Sequence, residues 1–190
     1  MIKSLCVFCG SRTGRNDDFS RIAYDFGKLM ALSNINLVYG GAKVGIMGAI
    51  ANGVLNNQGK AIGVLPIFFK EKEIIHDKLT ELILVDSMHE RKVKMIDMSD
   101  AFVALPGGFG TLDEMSEVLT LSQLGKYKKP LGLLNIEGFF DHLLMFFETM
   151  YNHQYIKNEH LKLFYASSEP SQLIQWLENY NPPKVKQWIK

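Results

Sequence analysis

The stretch "ALPGGFGTLDEM", which covers residues 104–115, combines a flexible backbone with acidic side chains. Gly107, Gly108 and Gly110 allow backbone N–H groups to approach an anion closely. A helix that begins directly after such a loop adds the positive end of its dipole, so a phosphate group is a natural ligand. Glu114 would then place a carboxylate beside that phosphate, where it could stabilise positive charge or activate water.

The same residues also have a purely structural interpretation. The segment "TLDE" has the form of a capping box, in which Thr111 caps the helix and the Glu114 carboxylate accepts a hydrogen bond from the amide of Thr111. The local pattern leaves both roles of Glu114 open.

A second charged residue stands at an unusual position upstream. The segment "SMHERKVKMIDMS", residues 87–99, predicts a helix that Ser87 caps. On a helical wheel Arg91 falls beside the methionines of the apolar stripe, where a cation is unusual. Either the side chain extends so that its guanidinium reaches solvent, or the guanidinium points into a polar pocket, with Lys92 as its neighbour.

The standard nucleotide-binding templates do not match. Gly40 and Gly45 have the spacing of a P-loop, but Ile46 follows where the template requires lysine. After Gly108 and Gly110, the dinucleotide fingerprint requires a third glycine, and Asp113 stands there instead. Sites for ATP and NAD are therefore not expected.

The two cysteines, Cys6 and Cys9, predict buried thiols rather than a metal or redox site. They lie in a predicted strand, where residues three apart point to opposite faces. The chain has no second cysteine pair with which to complete a zinc site. The cysteines therefore predict neither a zinc site nor a redox site.

Composition limits the function classes. The chain has 190 residues, of which 47% are hydrophobic and 22% are charged, and its net charge is +1. This balance is typical of a globular protein and gives no electrostatic argument for binding nucleic acid or an anionic membrane. Neither a signal peptide nor an apolar run long enough to span a bilayer is recognisable, so a cytoplasmic location is expected.

Short apolar runs alternate with helical patterns along the chain. The predicted strands are Ile2–Phe8, Asn36–Tyr39, Lys60–Leu65, Leu82–Val85, Ala101–Ala104, Leu131–Leu134 and Leu163–Tyr165. The predicted helices are Asp17–Ser33, Ile46–Asn57, Met88–Ser99, Leu112–Leu124, Gly138–Asn152 and Ser171–Glu178. Apolar strands separated by helices predict an α/β fold: one Rossmann-like, doubly wound domain with a mainly parallel central sheet, over residues 1–181, and a short tail over 182–190.

Three loops of this predicted fold carry glycines directly after a strand: "CGSRTGRND", "YGGAKVGIMG" and "LPGGFGTLDE". Ligands of such folds bind at the carboxyl ends of the strands, where these loops meet. We therefore expect Ser11 and Gly41, together with the loop at Gly108, to contribute to one binding site for a phosphorylated ligand.

The chain resembles the Lonely Guy family of cytokinin riboside 5'-monophosphate phosphoribohydrolases. Residues Pro106–Glu114 match the PGGxGTxxE signature of that family, and Arg91 and Lys92 precede it as the family pattern requires. The similarity extends from "CVFCGS" through "LVYGGAKVGIMGAIANG" to "LGKYKKPLGLLNIEGFF". Asp113 stands where many members have Glu, and Phe109 where many have Tyr; neither change affects the implied chemistry.

The resemblance implies hydrolysis of the N-glycosidic bond of a nucleoside 5'-monophosphate, with AMP or an N6-substituted cytokinin form as substrate. It implies no metal and no organic cofactor. It implies that Glu114 is the catalytic carboxylate, that Arg91 is its partner and that Lys92 lies beside the nucleotide. Binding contacts are implied for the residues that wrap the 5'-phosphate and for two further positions: Gly108, Phe109, Gly110, Thr111, Glu73 and Thr120.

The family is also usually dimeric, so a homodimer is expected. The helix Met88–Ser99 and the stretch "GFFDHLLMFF" could supply apolar dimer surface, although core packing explains them equally. The alternative function is a non-catalytic carrier of molybdenum cofactor or another nucleotide, which would use a similar glycine loop. The label "lysine decarboxylase", often attached to the family, would require a lysine that carries pyridoxal phosphate, and no lysine of the sequence stands out for that role.

Overall fold

Strands and helices alternate along the chain in the computed structural model, which describes residues 1–72 and 74–185. The strands are β1 (Ser4–Phe8), β2 (Asn36–Tyr39), β3 (Ala61–Pro66), β4 (Glu81–Val85), β5 (Ala101–Ala104), β6 (Leu131–Leu134) and β7 (Phe164–Ser167). The α-helices are α1 (Asp17–Leu32), α2 (Gly45–Leu55), α3 (Met88–Asp97), α4 (Phe109–Gln123), α5 (Asp141–Asn152) and α6 (Pro170–Glu178). Three short 3-10 turns complete the described elements: Ile67–Lys72, Ile136–Gly138 and His160–Lys162.

The strands form one sheet in the order β4-β3-β2-β1-β5-β6-β7. Every neighbouring pair is parallel. The direction of winding reverses between β1 and β5, and the crevice at such a switch point is where open α/β sheets bind ligands. The predicted fold class, a doubly wound α/β domain, is confirmed.

Two apolar cores cover the two faces of the sheet. One core contains buried residues of α1, α2 and α6, and the other contains buried residues of α3, α4 and α5. Cys6 belongs to the second core and Cys9 to the first, and both are buried, free thiols. The prediction that the two cysteines point to opposite faces is therefore confirmed, with Cys6 in β1 and Cys9 directly after it.

Strand positions were predicted closely, whereas two helix starts were wrong. β2, β5 and β6 have the predicted bounds. α5 begins at Asp141 rather than at Gly138, because Glu137 and Gly138 adopt positive φ angles of 51° and 72° that no α-helix accommodates. α4 begins at Phe109 rather than at Leu112, which changes the role of the residues after it.

No helix among the described residues is long and apolar enough to cross a membrane. The division into a domain over 1–181 and a tail over 182–190 stays a prediction, and residues 186–190 of that tail lie outside the described residues.

Candidate active site

The loops that follow β1 and β5 meet at the switch point of the sheet. The amide of Gly10 donates a hydrogen bond to the carbonyl of Pro106 at 3.0 Å, and the amide of Met47 donates to the carbonyl of Gly10 at 3.2 Å. A Cβ atom on Gly10 would lie 3.2 Å from the Cα atom of Gly107, so the two backbones pass too closely for a side chain there. Glycine at these positions therefore lets the two loops form one continuous surface.

Gly108 and Gly110 differ from those glycines. A Cβ atom added to either would meet nothing within 4 Å. Packing within the chain does not require glycine at these two positions, and their missing side chains leave open space at the start of α4. Such space allows a ligand to approach the backbone directly.

The N-terminus of α4 presents free amides to this space. Gly108 is the N-cap, and the first intrahelical bond runs from the amide of Leu112 to the carbonyl of Gly108 at 3.1 Å. The amides of Phe109, Gly110 and Thr111 therefore precede the first bonded turn, and the helix dipole adds positive charge beside them. This arrangement suits a phosphate group.

The predicted capping box at "TLDE" is wrong. Thr111 is the third residue of α4 rather than its cap, because the helix begins three residues earlier than the box requires. Glu114 is consequently the sixth residue of the helix, and its carboxylate faces inwards instead of returning to the amide of Thr111. The structural role that competed with catalysis for this side chain is thereby removed.

Glu114 and Arg91 form a buried ion pair. Only 4% of Glu114 and 7% of Arg91 are exposed, and Arg91 Nη1 lies 3.4 Å from Glu114 Oε1. Arg91 Nε donates a hydrogen bond to the carbonyl of Val64 at 3.1 Å, which fixes the guanidinium against β3. A Cβ atom on Gly40 would overlap Arg91 Nη2, so glycine at that position makes room for the arginine. Of the two interpretations of Arg91, the one with its guanidinium in a pocket is correct.

The environment of Glu114 raises the pKa of its carboxyl group from 4.5 to about 7. Burial is the largest cause, because it penalises the charged form. Arg91 and Lys92 lower this pKa, whereas Asp113 and Glu117 raise it. A carboxyl group that titrates near neutral pH is suited to proton transfer, and a strongly shifted pKa in a cleft is typical of functional sites.

The same environment makes the thiols of Cys6 and Cys9 unreactive. Burial, and after it the charge of Glu114, raises the pKa of both Cys6 and Cys9. Cys9 lines the cleft, yet its thiol stays protonated at physiological pH and is not a nucleophile.

The ion pair and the α4 amides line one cleft with a volume of about 560 Å³, a size typical of small-molecule sites. One part of its wall is apolar and includes Phe19, Met47 and Phe139, and the rings of Phe19 and Phe139 meet edge to face with their centres 6.0 Å apart. Arg12 adds a cation to the other part. The cleft thus offers an anion site, a carboxylate and an apolar wall.

Seven of the predicted site residues line this cleft: Ser11, Arg91, Gly108, Phe109, Gly110, Thr111 and Glu114. Three others lie elsewhere. Gly41 accepts a hydrogen bond from the amide of His76, the Thr120 hydroxyl donates to the carbonyl of Ser116, and Lys92 pairs with carboxylates of α4. Glu73 lies outside the described residues.

The cleft residues that sequence reasoning missed include Arg12, Phe19, Met47 and Phe139. Arg12 had a usable signal, because it lies in one of the three glycine loops and is a cation beside an expected phosphate. Phe139 was interpreted only as core or dimer surface, and nothing local shows that the loop after β6 returns to the loop after β1.

No three His, Cys, Asp or Glu side chains of the described residues are grouped as a metal site would require. Nor does any lysine line the cleft among those residues.

Comparisons with known proteins agree with this geometry. A family model described as "possible lysine decarboxylase" matches residues 47–177. A rice protein named probable cytokinin riboside 5'-monophosphate phosphoribohydrolase LOGL9 (Oryza sativa subsp. japonica) is 42% identical over 180 residues, which cover 95% of this chain and 79% of the relative. The Arabidopsis thaliana protein named cytokinin riboside 5'-monophosphate phosphoribohydrolase LOG5 is 40% identical with the same coverage.

Similar solved structures show the fold. A molybdenum cofactor binding protein from Rippkaea orientalis has a TM-score of 0.71 and 24% identity, over 94% of this chain and 97% of that one. A molybdenum cofactor carrier protein from Chlamydomonas reinhardtii has a TM-score of 0.71 and 21% identity, with the same coverage.

Proposed function

The chain belongs to the family described as possible lysine decarboxylase, whose curated relatives are named phosphoribohydrolases, and from this premise we propose that it is an N-glycosidic-bond hydrolase. Its substrate is a nucleoside 5'-monophosphate, and its products are the free base and ribose 5-phosphate. The observation that carries the proposal is the buried pair of Arg91 and Glu114, which lines the same cleft as the free amides of α4.

The reaction divides between these groups. The α4 amides bind the 5'-phosphate and so set the distance between the ribose and Glu114. As the bond between the ribose and the base breaks, positive charge develops on the ribose ring, as in glycoside hydrolysis. The Glu114 carboxylate stabilises that charge or takes a proton from the attacking water, while Arg91 holds the carboxylate in place. Water supplies the hydroxyl group on the sugar and the proton on the departing base.

The proposed substrate is AMP or an adenine nucleotide substituted at N6. The names of the relatives support a cytokinin form, and the apolar wall at Phe19 and Phe139 suits a planar base. The reaction requires no metal and no organic cofactor. The family's label, "possible lysine decarboxylase", does not suit the cleft. A decarboxylase that uses pyridoxal phosphate needs a lysine to carry it, and no lysine lines the cleft among the described residues.

The alternative, a non-catalytic carrier of molybdenum cofactor, has weaker support. The carriers are less than 25% identical to this chain, so their similarity shows the fold alone. A carrier has no need for a buried carboxylate whose pKa is raised to about 7.

The test is incubation of the purified protein with AMP, followed by chromatography for adenine and ribose 5-phosphate. We expect the two products in equal amounts, and much slower release of adenine from adenosine, which has no phosphate for α4 to bind. The corresponding N6-isopentenyl nucleotide, assayed in parallel, shows which base is preferred. If AMP binds and no adenine forms, the carrier is the better description.

We also propose a homodimer in the cytoplasm. Large apolar side chains of α5 are exposed, among them Met145 (59%) and Phe146 (54%), which supports an interface. Two free, buried thiols are compatible with a reducing compartment, where disulfides are rare. Fractionation of the host cell tests the location.

A further inference from the structure

Arg12 is a cation of the cleft that has no partner of its own. It lies in the loop between β1 and α1 and lines the same cleft as the N-terminus of α4. Arg12 is exposed, and its side chain makes no hydrogen bond or ion pair with any other residue that the structure describes. The other cation in the described lining, Arg91, is already paired with Glu114. Arg12 is therefore available to an anion that enters the cleft.

Packing on two sides fixes the backbone at Arg12. On one side, the amide of Gly10 donates its hydrogen bond to the carbonyl of Pro106, which ties this loop to the loop that leads into α4. On the other side, Gly45 at the start of α2 has a φ angle of 60°, and a Cβ atom there would overlap the backbone of Ser11 and Arg12. The side chain of Arg12 thus starts from a fixed point beside the anion site.

A phosphate monoester needs more positive charge than α4 supplies. Its charge at pH 7 is about −1.5 to −2, whereas the N-terminus of a helix is equivalent to about +0.5. Among the described charged residues that line the cleft, Arg91 and Glu114 offset each other, and Arg12 supplies the remaining positive charge. Arginine also presents its N–H groups in a planar fork that matches two phosphate oxygens.

We propose that Arg12 binds the 5'-phosphate from the loop after β1, while the amides of α4 bind it from the loop after β5. This inference rests on the proposed function and gives it a residue that determines specificity, because the contact favours a nucleotide over a nucleoside. The residues implied by the family resemblance do not include Arg12. The same contact should hold ribose 5-phosphate, the proposed product.

The test measures binding of ribose 5-phosphate by isothermal titration calorimetry, which needs no turnover. We expect the Kd to rise about tenfold to a hundredfold in Arg12→Met, because a hydrogen-bonded charge pair is lost. Arg12→Lys should lie between Arg12→Met and wild type, since lysine keeps the charge and loses the fork. Arg15→Met is the matched control: Arg15 is an exposed cation of the same loop that does not line the cleft, so its loss should leave the Kd close to wild type.

Two outcomes of the calorimetry would overturn the proposal. Wild-type affinity in Arg12→Met would show that the guanidinium does not contact the phosphate. An equal loss in Arg15→Met would show that the loop acts only through its overall charge.

Salt dependence and thermal unfolding separate an ionic contact from a structural role. The difference in Kd between wild type and Arg12→Met should shrink as sodium chloride is raised to about 1 M, where charges are screened within about 3 Å. The Tm of Arg12→Met should match that of wild type, because the side chain has no described partner to lose. A difference in Kd that salt does not change, together with a lower Tm, would assign Arg12 to the shape of the loop and overturn the proposal.

Kinetics with AMP provide the second test. We expect KM to rise in Arg12→Met with a much smaller change in kcat, and the preference for AMP over adenosine to fall, because the contact holds a part of the substrate that does not react. A fall in kcat with wild-type KM would place Arg12 at the reacting atoms instead and contradict the inference.

The two tests keep this inference apart from the proposed function. A protein that binds ribose 5-phosphate through Arg12 and leaves AMP whole would overturn only the proposed hydrolase. A protein that hydrolyses AMP and binds ribose 5-phosphate equally well without Arg12 would overturn only the role of Arg12.

Discussion

At the scale of single residues, Glu114 holds a charge that its surroundings disfavour. Burial raises the pKa of its carboxyl group to about 7, and the guanidinium of Arg91 offsets part of that effect. A group held between its two protonation states can exchange a proton at physiological pH, which an exposed carboxylate cannot do efficiently. The burial that makes the charged form of Glu114 unfavourable in the folded protein is therefore also what suits this carboxyl group to proton transfer.

Replacing Glu114 with Gln should abolish most of the activity. The change keeps the shape and removes the negative charge that faces the developing ribosyl cation, so kcat should fall by about a hundredfold to a thousandfold. Arg91→Ala should cost a comparable factor, because the carboxylate then loses the cation that orients it. The affinity for AMP should fall less than kcat in Glu114→Gln, since backbone amides hold the phosphate.

Thermal unfolding provides the control for Glu114→Gln. The pKa of Glu114 is higher in the folded protein, at about 7, than the ordinary value of 4.5, so the stability it contributes is present below pH 4.5 and lost as the pH rises through 7. Gln does not titrate, so its contribution to stability stays constant over this range. The Tm of the variant relative to wild type should therefore increase from about pH 5 to about pH 8. A lower Tm with near-normal turnover would show that the side chain is structural.

The pH dependence of the wild-type enzyme follows from the same shift. If the ionised carboxylate is the active form, kcat/KM for AMP should decrease below pH 7, because protonation removes the charge. The measurement is kcat/KM across the acid range in one buffer system. A profile that stays flat down to the ordinary carboxyl pKa of 4.5 would exclude Glu114 as the titrating group.

At the scale of elements, the loop after β5 and helix α4 act as one unit. The loop ends at Gly108, the helix begins at Phe109, and Glu114 follows six residues into the helix. The phosphate amides and the carboxylate therefore belong to one rigid element, whose geometry does not depend on how other loops move.

Gly108→Val and Gly110→Val should weaken substrate binding and leave the fold intact. A side chain at either position has room within the protein, so Tm should hold, but it would occupy the space in which phosphate approaches the amides. We expect a higher KM for AMP and a smaller preference for AMP over adenosine.

Gly107→Ala is the contrasting variant. Its Cβ atom would overlap the Thr111 hydroxyl and lie 2.9 Å from the amide of Gly10, so Tm should fall. Equal rates on adenosine and AMP in the wild-type protein would show that the loop binds no phosphate.

At the scale of the whole molecule, the strand order of the sheet determines where the cleft lies. The direction of winding reverses between β1 and β5, so α1 and α4, which follow these two strands, pack on opposite faces of the sheet, and the cleft opens at the ends of the strands. α3, which packs on β3 and β4, brings Arg91 to this cleft.

The proposed dimer makes a prediction at this scale. Light scattering at micromolar concentrations should give about twice the mass of one chain. Met145→Asp should shift the protein towards monomer, because a charge on an apolar interface is costly, and Glu148→Gln on the same helix should not. A monomer with full activity would show that the site does not need a second subunit.

The sequence by itself determined the features that depend on neighbours along the chain. Periodic apolar residues specified the strands and the parallel α/β class, and period-two geometry specified that Cys6 and Cys9 face opposite cores. Glycines after strands marked the loops around Ser11 and Gly108, and the family motif identified Arg91 with Glu114. These patterns are local, so they can be interpreted without knowledge of what packs against them.

Only the tertiary structure decided what each side chain meets. α4 begins at Phe109, after a loop in which the carbonyl of Pro106 accepts a hydrogen bond from Gly10 of the loop after β1, and this earlier start is why the capping box predicted at Thr111 was wrong. The pairing of Lys92 with α4, and the presence of Phe139 in the cleft, join residues that are distant in sequence. The pKa of Glu114 has the same origin, because burial and opposing charges come from elements that the chain brings together only when it folds.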